Sequence, residues 1–263
     1  MCEITTIVTT AARPDALLKQ LAERACTTLN VRFVERKKRG IAKMATLYNA
    51  NVIVAGKNRY EYHALGADAP FFFHPSSAAF RLKRAARGEI DTFLAACQLN
   101  EGDTFLDCTL GMATDSMMAA FAVGESGKVI GCEGNANVAF IVSEGMKRYD
   151  ITDLPLLSCM EQIEVVHSVA LDYLKLQPDN SFDVVYMDPM FEETIEESTS
   201  FQPLRQAGLH EGLSDEWMAQ AERVAKRRIV LKAHFRSDLF GQYGFVRDTR
   251  LSSKFHYGIK EVT

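Results

Sequence analysis

Two kinds of apolar pattern alternate along the chain. Short unbroken apolar runs read as buried strands, and longer stretches with apolar residues three and four apart read as helices with one apolar face. In the first third, strands are predicted at Ile4 to Val8, Val31 to Val34, Val52 to Ala55, Tyr60 to His63 and Phe71 to Phe73. A helix is predicted to open at Arg13-Pro14-Asp15, with Leu17, Leu18, Leu21 and Ala25 on one face, and a shorter one covers Ile41 to Tyr48. Gly56-Lys57-Asn58 reads as a hairpin turn between two of the strands. His74-Pro75-Ser76 then breaks the pattern, and Ser76 or Ser77 is the predicted cap of a helix carrying Arg81, Lys83, Arg84 and Arg87.

The rest of the chain repeats strand and helix more regularly. Thr104 to Cys108 is a strand, followed by a tight turn through Gly111, a helix from about Ala113 and a strand at Val129 to Cys132. Val138, Ile141, Val142, Met146 and Tyr149 mark an amphipathic helix, and Ile163 to His167 and Phe182 to Met187 are strands. Met190 to about Ser214 is too long for a plain connection and is a candidate lid or substrate loop. A helix over Asp215 to Arg227, a strand at Ile229 to Ala233 and strands at Phe245 to Thr249 and Phe255 to Val262 close the chain. Such alternation predicts an α/β fold with a mostly parallel sheet covered on both faces. The expected division is a small α/β subdomain at residues 1–75 and a main domain at 76–263.

Composition narrows the function. Net charge is −4, so no global positive field draws in nucleic acid, and such a partner must be met by local patches at Arg36 to Arg39 and Arg81 to Arg87. The cysteines include no CxxC pair and the histidines have no ligand spacing, which argues against zinc and against a disulfide framework. No apolar run approaches the roughly 18 residues of a membrane span, and no secretory leader is present, so a cytoplasmic protein is expected.

The chemistry is concentrated in two stretches. In the first, Asp103 to Glu133, a strand feeds a turn and helix and a second strand ends on a carboxylate, as in the nucleotide-binding half of a doubly wound sheet. Asp107 ends the first strand, and Glu133 lies 22 residues after Gly111, where an acid takes ribose hydroxyls. A dinucleotide fingerprint needs three glycines, one of them for backbone to approach a pyrophosphate. Here the turn has Thr109, Gly111 and Ala113, which suits a nucleoside ligand without phosphates, S-adenosylmethionine being one. In the second stretch, Val184-Val185-Tyr186-Met187-Asp188-Pro189-Met190-Phe191, a buried strand delivers Asp188 to the same crevice. Methylation of a planar amine needs acceptors for its N–H groups and an aromatic plane for the ring. Asp188, the Pro189 carbonyl and Phe191 supply those, the stacking being worth about 1–3 kcal/mol.

The segments DCTLGMATD, CEGN, VVHS, VVYMDPMF and IVLKAH together resemble class I S-adenosylmethionine-dependent methyltransferases. They are similar in particular to the RsmJ family of bacterial small-subunit ribosomal RNA guanine-N2 methyltransferases, over roughly residues 70 to 262 and including FFFHPSSAAFRLKRAARGE. The resemblance implies a Rossmann-like class I methyltransferase fold with a mostly parallel seven-stranded sheet and S-adenosylmethionine as cofactor. It implies donor contacts at Thr114, Asp115, Glu133 and Gly134 and around Ser168, Val169 and Ala170, beside Asp107, Thr109 and Gly111 of the turn. The acceptor amine is placed at Asp188, Pro189, Met190 and Phe191. The implied partner is RNA, with guanine N2 of ribosomal RNA first. DNA, a protein side chain, a small molecule, or RNA binding without catalysis remain as alternatives.

Overall fold

The computed structural model describes residues 4–150, 154–189, 212–250 and 253–262. Along the chain the elements are β1 (Thr6–Thr10), α1 (Ala16–Leu29), β2 (Arg32–Phe33), α2 (Ile41–Tyr48), β3 (Asn51–Ala55), β4 (Tyr60–His63), α3 (Ser76–Ala85) and α4 (Thr92–Cys97). There follow β5 (Thr104–Asp107), α5 (Thr114–Val123), β6 (Lys128–Glu133), α6 (Ala136–Arg148), α7 (Leu154–Gln162), β7 (Ile163–His167), α8 (Ala170–Lys175) and β8 (Phe182–Met187). The last are α9 (Asp215–Val224), β9 (Ala225–His234), α10 (Leu239–Gln242), β10 (Val246–Asp248) and β11 (Phe255–Glu261). The described residues divide into two compact units, one of 4–74 with 135–150 and the other of the remainder.

The first unit is built on a sheet of order β2-β1-β3-β4, with β1 parallel to β2 and β3 and β4 antiparallel to β3. Neighbouring Ile7 and Val8 point to opposite faces of β1 and are both buried, so both faces are covered. Ile7, Val52 and Val54 pack with Met44 and Ala45 of α2. Helix α1 starts where Asp15 Oδ1 accepts the Leu18 N–H at 2.8 Å and stops at Asn30 in the left-handed region. Helix α6 also belongs to this unit. Arg24 bonds Glu144 at 2.8 Å and the Tyr60 and Phe140 rings meet edge to face. A Cβ at Gly145 would lie 2.3 Å from Phe73 Cβ, so only glycine permits this approach.

The strand predicted at Phe71 to Phe73 is reduced to one bridge, between Phe71 and Tyr62. Phe71 and Phe73 are buried, and that burial, not ladder pairing, is what the apolar run reports. The predicted serine cap of α3 is absent as well. Ser76 is the first helical residue, and Pro75 precedes it with no side-chain cap.

The second unit carries the seven-stranded sheet, order β10-β11-β9-β8-β5-β6-β7. From β9 through β7 the pairing is parallel, while β11 and β10 are antiparallel. Leu106, Val185, Ile229 and Leu231 pack with Trp217, Met218 and Ala221 of α9. The helix expected to reach Arg227 ends at Val224, and its last turn is taken over by β9. The reason is tertiary. Arg228 donates to Ala96 O at 2.8 Å and Gln98 Oε1 at 2.9 Å and pairs with Glu261, its register partner on β11. Helices α4, α7, α8 and α10 were not foreseen; each has nine residues or fewer, little length for periodicity to register. No helix of the described residues is long and apolar enough to cross a membrane.

Strand β5 has β6 on one side and β8 on the other, and the chain leaves it for β6 first. That makes the carboxyl ends of β5 and β8 the topological switch point, where open α/β sheets place their ligands.

Candidate active site

The turn after β5 is tied to both neighbouring strands. The Cys108 N–H donates to Tyr186 O at 2.9 Å and the Leu110 N–H to Cys132 O at 2.9 Å. Gly111 takes φ 49° and Ala113 φ 60°, so the chain bends back over the strand ends through left-handed backbone. Alanine accepts this region only with strain, and Ala113 does so fully buried at the start of α5. Asp107 holds the turn from below. Its Oδ1 accepts the Thr109 N–H at 2.9 Å, and its Oδ2 accepts the Ser116 hydroxyl of α5 at 2.6 Å. The Thr109 Oγ1 in turn accepts the Asp188 N–H at 2.8 Å, fastening the donor-side turn to the end of β8.

Asp188 stands at one end of an ion network centred on Asp115. Lys232 Nζ on β9 lies 2.6 Å from Asp188 Oδ2 and 3.6 Å from Asp115 Oδ2. Tyr186 donates its hydroxyl to Asp115 Oδ2 at 2.8 Å, and Arg81 Nη1 reaches Asp115 Oδ1 at 2.6 Å. Arg81 also grips Asp91 through Nε and Nη2, each at 2.9 Å. Burial would raise the Asp115 carboxyl, but Lys232 and Arg81, with the bonds from Arg81 and Tyr186, bring it down to about 2. For Asp188 burial wins over the attraction of Lys232, and its carboxyl sits above the usual range. Burial opposes the charge on Lys232, yet Asp188 and Asp115 outweigh it and hold the ammonium well above the ordinary lysine value.

The other expected residues lie along the same strand ends. Glu133 is the last residue of β6 and Gly134 follows it; the Glu133 carbonyl accepts the Ser168 N–H at 3.1 Å. Val169 caps α8, and Ser168 Oγ donates to Val169 O at 3.0 Å. Thr114 and Asp115 are the first two residues of α5 and Pro189 is buried beside Asp188. All of these belong to the second unit. Met190, Phe191 and the loop up to residue 211 fall outside the described residues.

Two residues change meaning. Arg81, expected in an RNA-contacting stripe, is held between Asp91 and Asp115 and so is not open to phosphate; Arg84 likewise pairs with Glu89 at 2.6 Å. Tyr186 and Asp91 are members to which the sequence assigned no role, and Arg81 is one to which it assigned a different role. Tyr186 precedes Asp188 by two positions on one strand, which was a signal; nothing local ties Arg81 to it.

Asp107 makes the site sensitive to pH. Burial raises its carboxyl from 3.8 to about 7, against the pull of the Ser116 and Thr109 bonds and with the help of Asp115 and Asp188. A folded value above the unfolded one means that ionisation costs stability. The cost is absent below about pH 4, grows up to about pH 7 and is constant above, on the order of 4 kcal/mol. Asp107→Asn is therefore expected to raise Tm at pH 8 and leave it unchanged at pH 4, read by calorimetry across that range. Equal shifts at both ends would show that Asp107 is ionised without cost.

A Rossmann-like sheet with a turn of one glycine at the switch point, an acid ending the second strand and an acid–proline pair ending the fourth defines a nucleoside-dependent transferase. The chain belongs to the SAM-dependent methyltransferase family, which it matches over residues 66–242. It is 39% identical over 257 residues to the Bacillus subtilis (strain 168) protein named uncharacterized protein YpiP, covering 96% of this chain and 98% of that one. It is 30% identical over 165 residues to ribosomal RNA small subunit methyltransferase J of Acinetobacter baumannii (strain AYE), 57% of each chain. A crystal structure of a SAM-dependent methyltransferase from Neisseria gonorrhoeae superposes with a TM-score of 0.62 at 17% identity, over 97% of this chain and 95% of that one, a likeness of fold. The protein is thus a class I methyltransferase and its cofactor is S-adenosylmethionine. The donor set fits that molecule, with a carboxylate ending β6 at ribose distance from the turn in sequence and no third glycine for a pyrophosphate.

Proposed function

We propose that the enzyme methylates an exocyclic amine of an RNA base, guanine N2 of ribosomal RNA being the first choice. The observation that carries this reading is Asp188-Pro189 at the end of β8, joined to the donor-side turn by the Asp188 N–H to Thr109 Oγ1 bond of 2.8 Å. Residues 76–263 form the catalytic domain in this reading, and 1–75 an appended subdomain.

When bound, S-adenosylmethionine supplies an electrophilic methyl group on a sulfonium that departs as a neutral thioether. Glu133 receives the ribose hydroxyls, and Gly134, Ser168 and Val169 border the adenine. The turn Thr109 to Thr114 lies under the amino-acid end; Asp115, whose carboxylate is spent on Arg81, Tyr186 and Lys232, offers backbone N–H alone. Asp188 and the Pro189 carbonyl accept the two N–H groups of the amine, which turns its lone pair out of the ring plane toward the methyl carbon. With Asp188 Oδ2 on Lys232, Oδ1 is the oxygen that meets the amine; once the N–C bond has formed and the thioether has left, the acidic methylated nitrogen loses its proton to water. Most of the rate comes from this alignment. Lys232 is held charged by two carboxylates, so it is no base for a hydroxyl acceptor, which favours nitrogen over oxygen.

Support for RNA comes from the similarity to ribosomal RNA methyltransferases. A single-turnover assay with methyl-labelled donor and RNA from a strain lacking the protein tests the reading. Label is expected in RNA as N2-methylguanosine, with Glu133→Ala weakening S-adenosylhomocysteine at least about tenfold, roughly 1.4 kcal/mol. Label confined to DNA, protein or small molecules would replace the acceptor.

A further inference from the structure

We infer that the carboxyl edge of the first unit's sheet is a docking surface for RNA backbone, with Arg13, the turn Arg36 to Arg39, and Lys57 as its phosphate contacts. The inference rests on the RNA-acceptor reading and deepens it.

The parallel register decides which loops share an edge. Ile7 pairs with Arg32 and Thr10 with Ala55, all three strands running the same way. The segments after β1, β2 and β3 therefore emerge side by side, on strands spaced about 4.8 Å apart. The chain passes from β1 to β2 on one side and then to β3 on the other. That reversal makes this edge a switch point of its own, the place where open α/β sheets receive ligands.

Cations crowd that edge. Arg13 follows β1, Arg36, Lys37, Lys38 and Arg39 follow β2, and Lys57 follows β3. Arg13, Lys37, Lys38 and Lys57 are exposed. None of the six forms an ion pair with a described carboxylate, whereas Arg24 and Arg59 of the same unit pair with Glu144 and Glu61. Of the acids among these loops, Asp15 is spent on the cap of α1, leaving Glu35. In a chain of net charge −4 this is a local excess of one sign, in want of a polyanion.

The turn is also held at a cost. Lys37 and Lys38 take φ 46° and 60°, and the Arg39 N–H donates to Arg36 O at 2.9 Å. Two central residues with positive φ suit Asn-Gly, not two lysines. Both lysines are exposed, so packing does not explain their choice, and Arg36 Nε clamps the turn through Arg39 O at 2.9 Å. Strain of this kind persists where a site needs it. Helix α2 begins directly after, with Gly40 as a cap that has no side chain to take up its first N–H groups.

Replacing Lys37 by Asn, Lys38 by Gly and Lys57 by Gln tests this with the turn kept in its preferred sequence. Binding of a fluorescein-labelled RNA hairpin is followed against salt, with S-adenosylhomocysteine calorimetry beside it. The slope of log affinity against log salt is expected to fall by about 2, a loss of about 100-fold in affinity at roughly 0.1 M salt, with cofactor affinity kept and Tm equal to or above that of the wild type. Unchanged RNA affinity and slope would overturn the inference. So would polyglutamate displacing the hairpin as well as unlabelled RNA does, since an acidic protein would then be the occupant. If wild type methylates no RNA but the triple variant still loses hairpin binding, the acceptor reading fails and the docking edge stands. If RNA is methylated and the variant binds it like wild type, the edge alone fails.

Discussion

Asp188→Ala is expected to lower kcat by about 10²–10³-fold while binding of S-adenosylhomocysteine stays within about twofold. In the proposed reaction the side chain meets the acceptor amine, and the Asp188 backbone N–H, which ties β8 to Thr109, survives the substitution. Asp188→Asn keeps one carbonyl oxygen as acceptor and is expected to lose only about tenfold, roughly 1.4 kcal/mol of transition-state stabilisation. The two variants also separate by pH. Because burial raises the Asp188 carboxyl, the wild-type rate rises with pH as that group ionises and becomes an acceptor on both oxygens. An asparagine cannot titrate, so the Asn variant loses that acidic limb. Single-turnover rates across pH check this, and an Ala variant retaining a third of the wild-type rate would remove Asp188 from the chemistry.

Lys232→Met is expected to damage stability and catalysis together. It withdraws the one cation between Asp188 and Asp115, leaving two partly buried carboxylates facing each other. Breaking such a pair by removing one partner costs about 3–5 kcal/mol when buried. With the Lys232 side chain 25% exposed, about 2–4 kcal/mol is expected, a fall in Tm of roughly 6–12 °C. The sign follows from the carboxylates. In the wild type Asp115, at about 2, stabilises the fold above its unfolded value of 3.8 and loses that contribution as pH falls through its folded value. Without Lys232 both Asp115 and Asp188 rise, so the variant's deficit is widest near pH 8 and narrows in acid. Its catalytic acidic limb moves to higher pH for the same reason, and Lys232→Arg, which keeps the charge, restores most of both. A Tm at pH 8 equal to that of the wild type would show that Lys232 does not bind the two acids together.

Much of this protein was written locally. Short runs rich in β-branched and aromatic residues read as strands, so the bounds of β7 and β8 were read to the residue, as were those of α2. The places of Gly111 after β5, Glu133 at the end of β6 and Asp188-Pro189 after β8 were legible because each belongs to a short motif set by neighbours in the chain. What the chain could not state locally is which distant groups meet. Residues 225–227 leave the expected helix for β9, where the adjacent Arg228 pairs with Glu261 and Ala96, far from it in sequence, because a buried guanidinium must find acceptors wherever they are. Phe71 to Phe73 looks like a strand because apolar runs report burial, and Phe73 is buried by packing against Gly145 of α6. Arg81 read as a cation open to phosphate, but Asp91 and Asp115 enclose it, and Lys232 meets Asp188 and Asp115 because β9 lies beside β8. Local patterns decide what kind of element forms and which motifs it carries, since backbone geometry and side-chain periodicity act over a few residues. Charge pairing acts through space, and only the order of strands in the sheet decided which charges would meet.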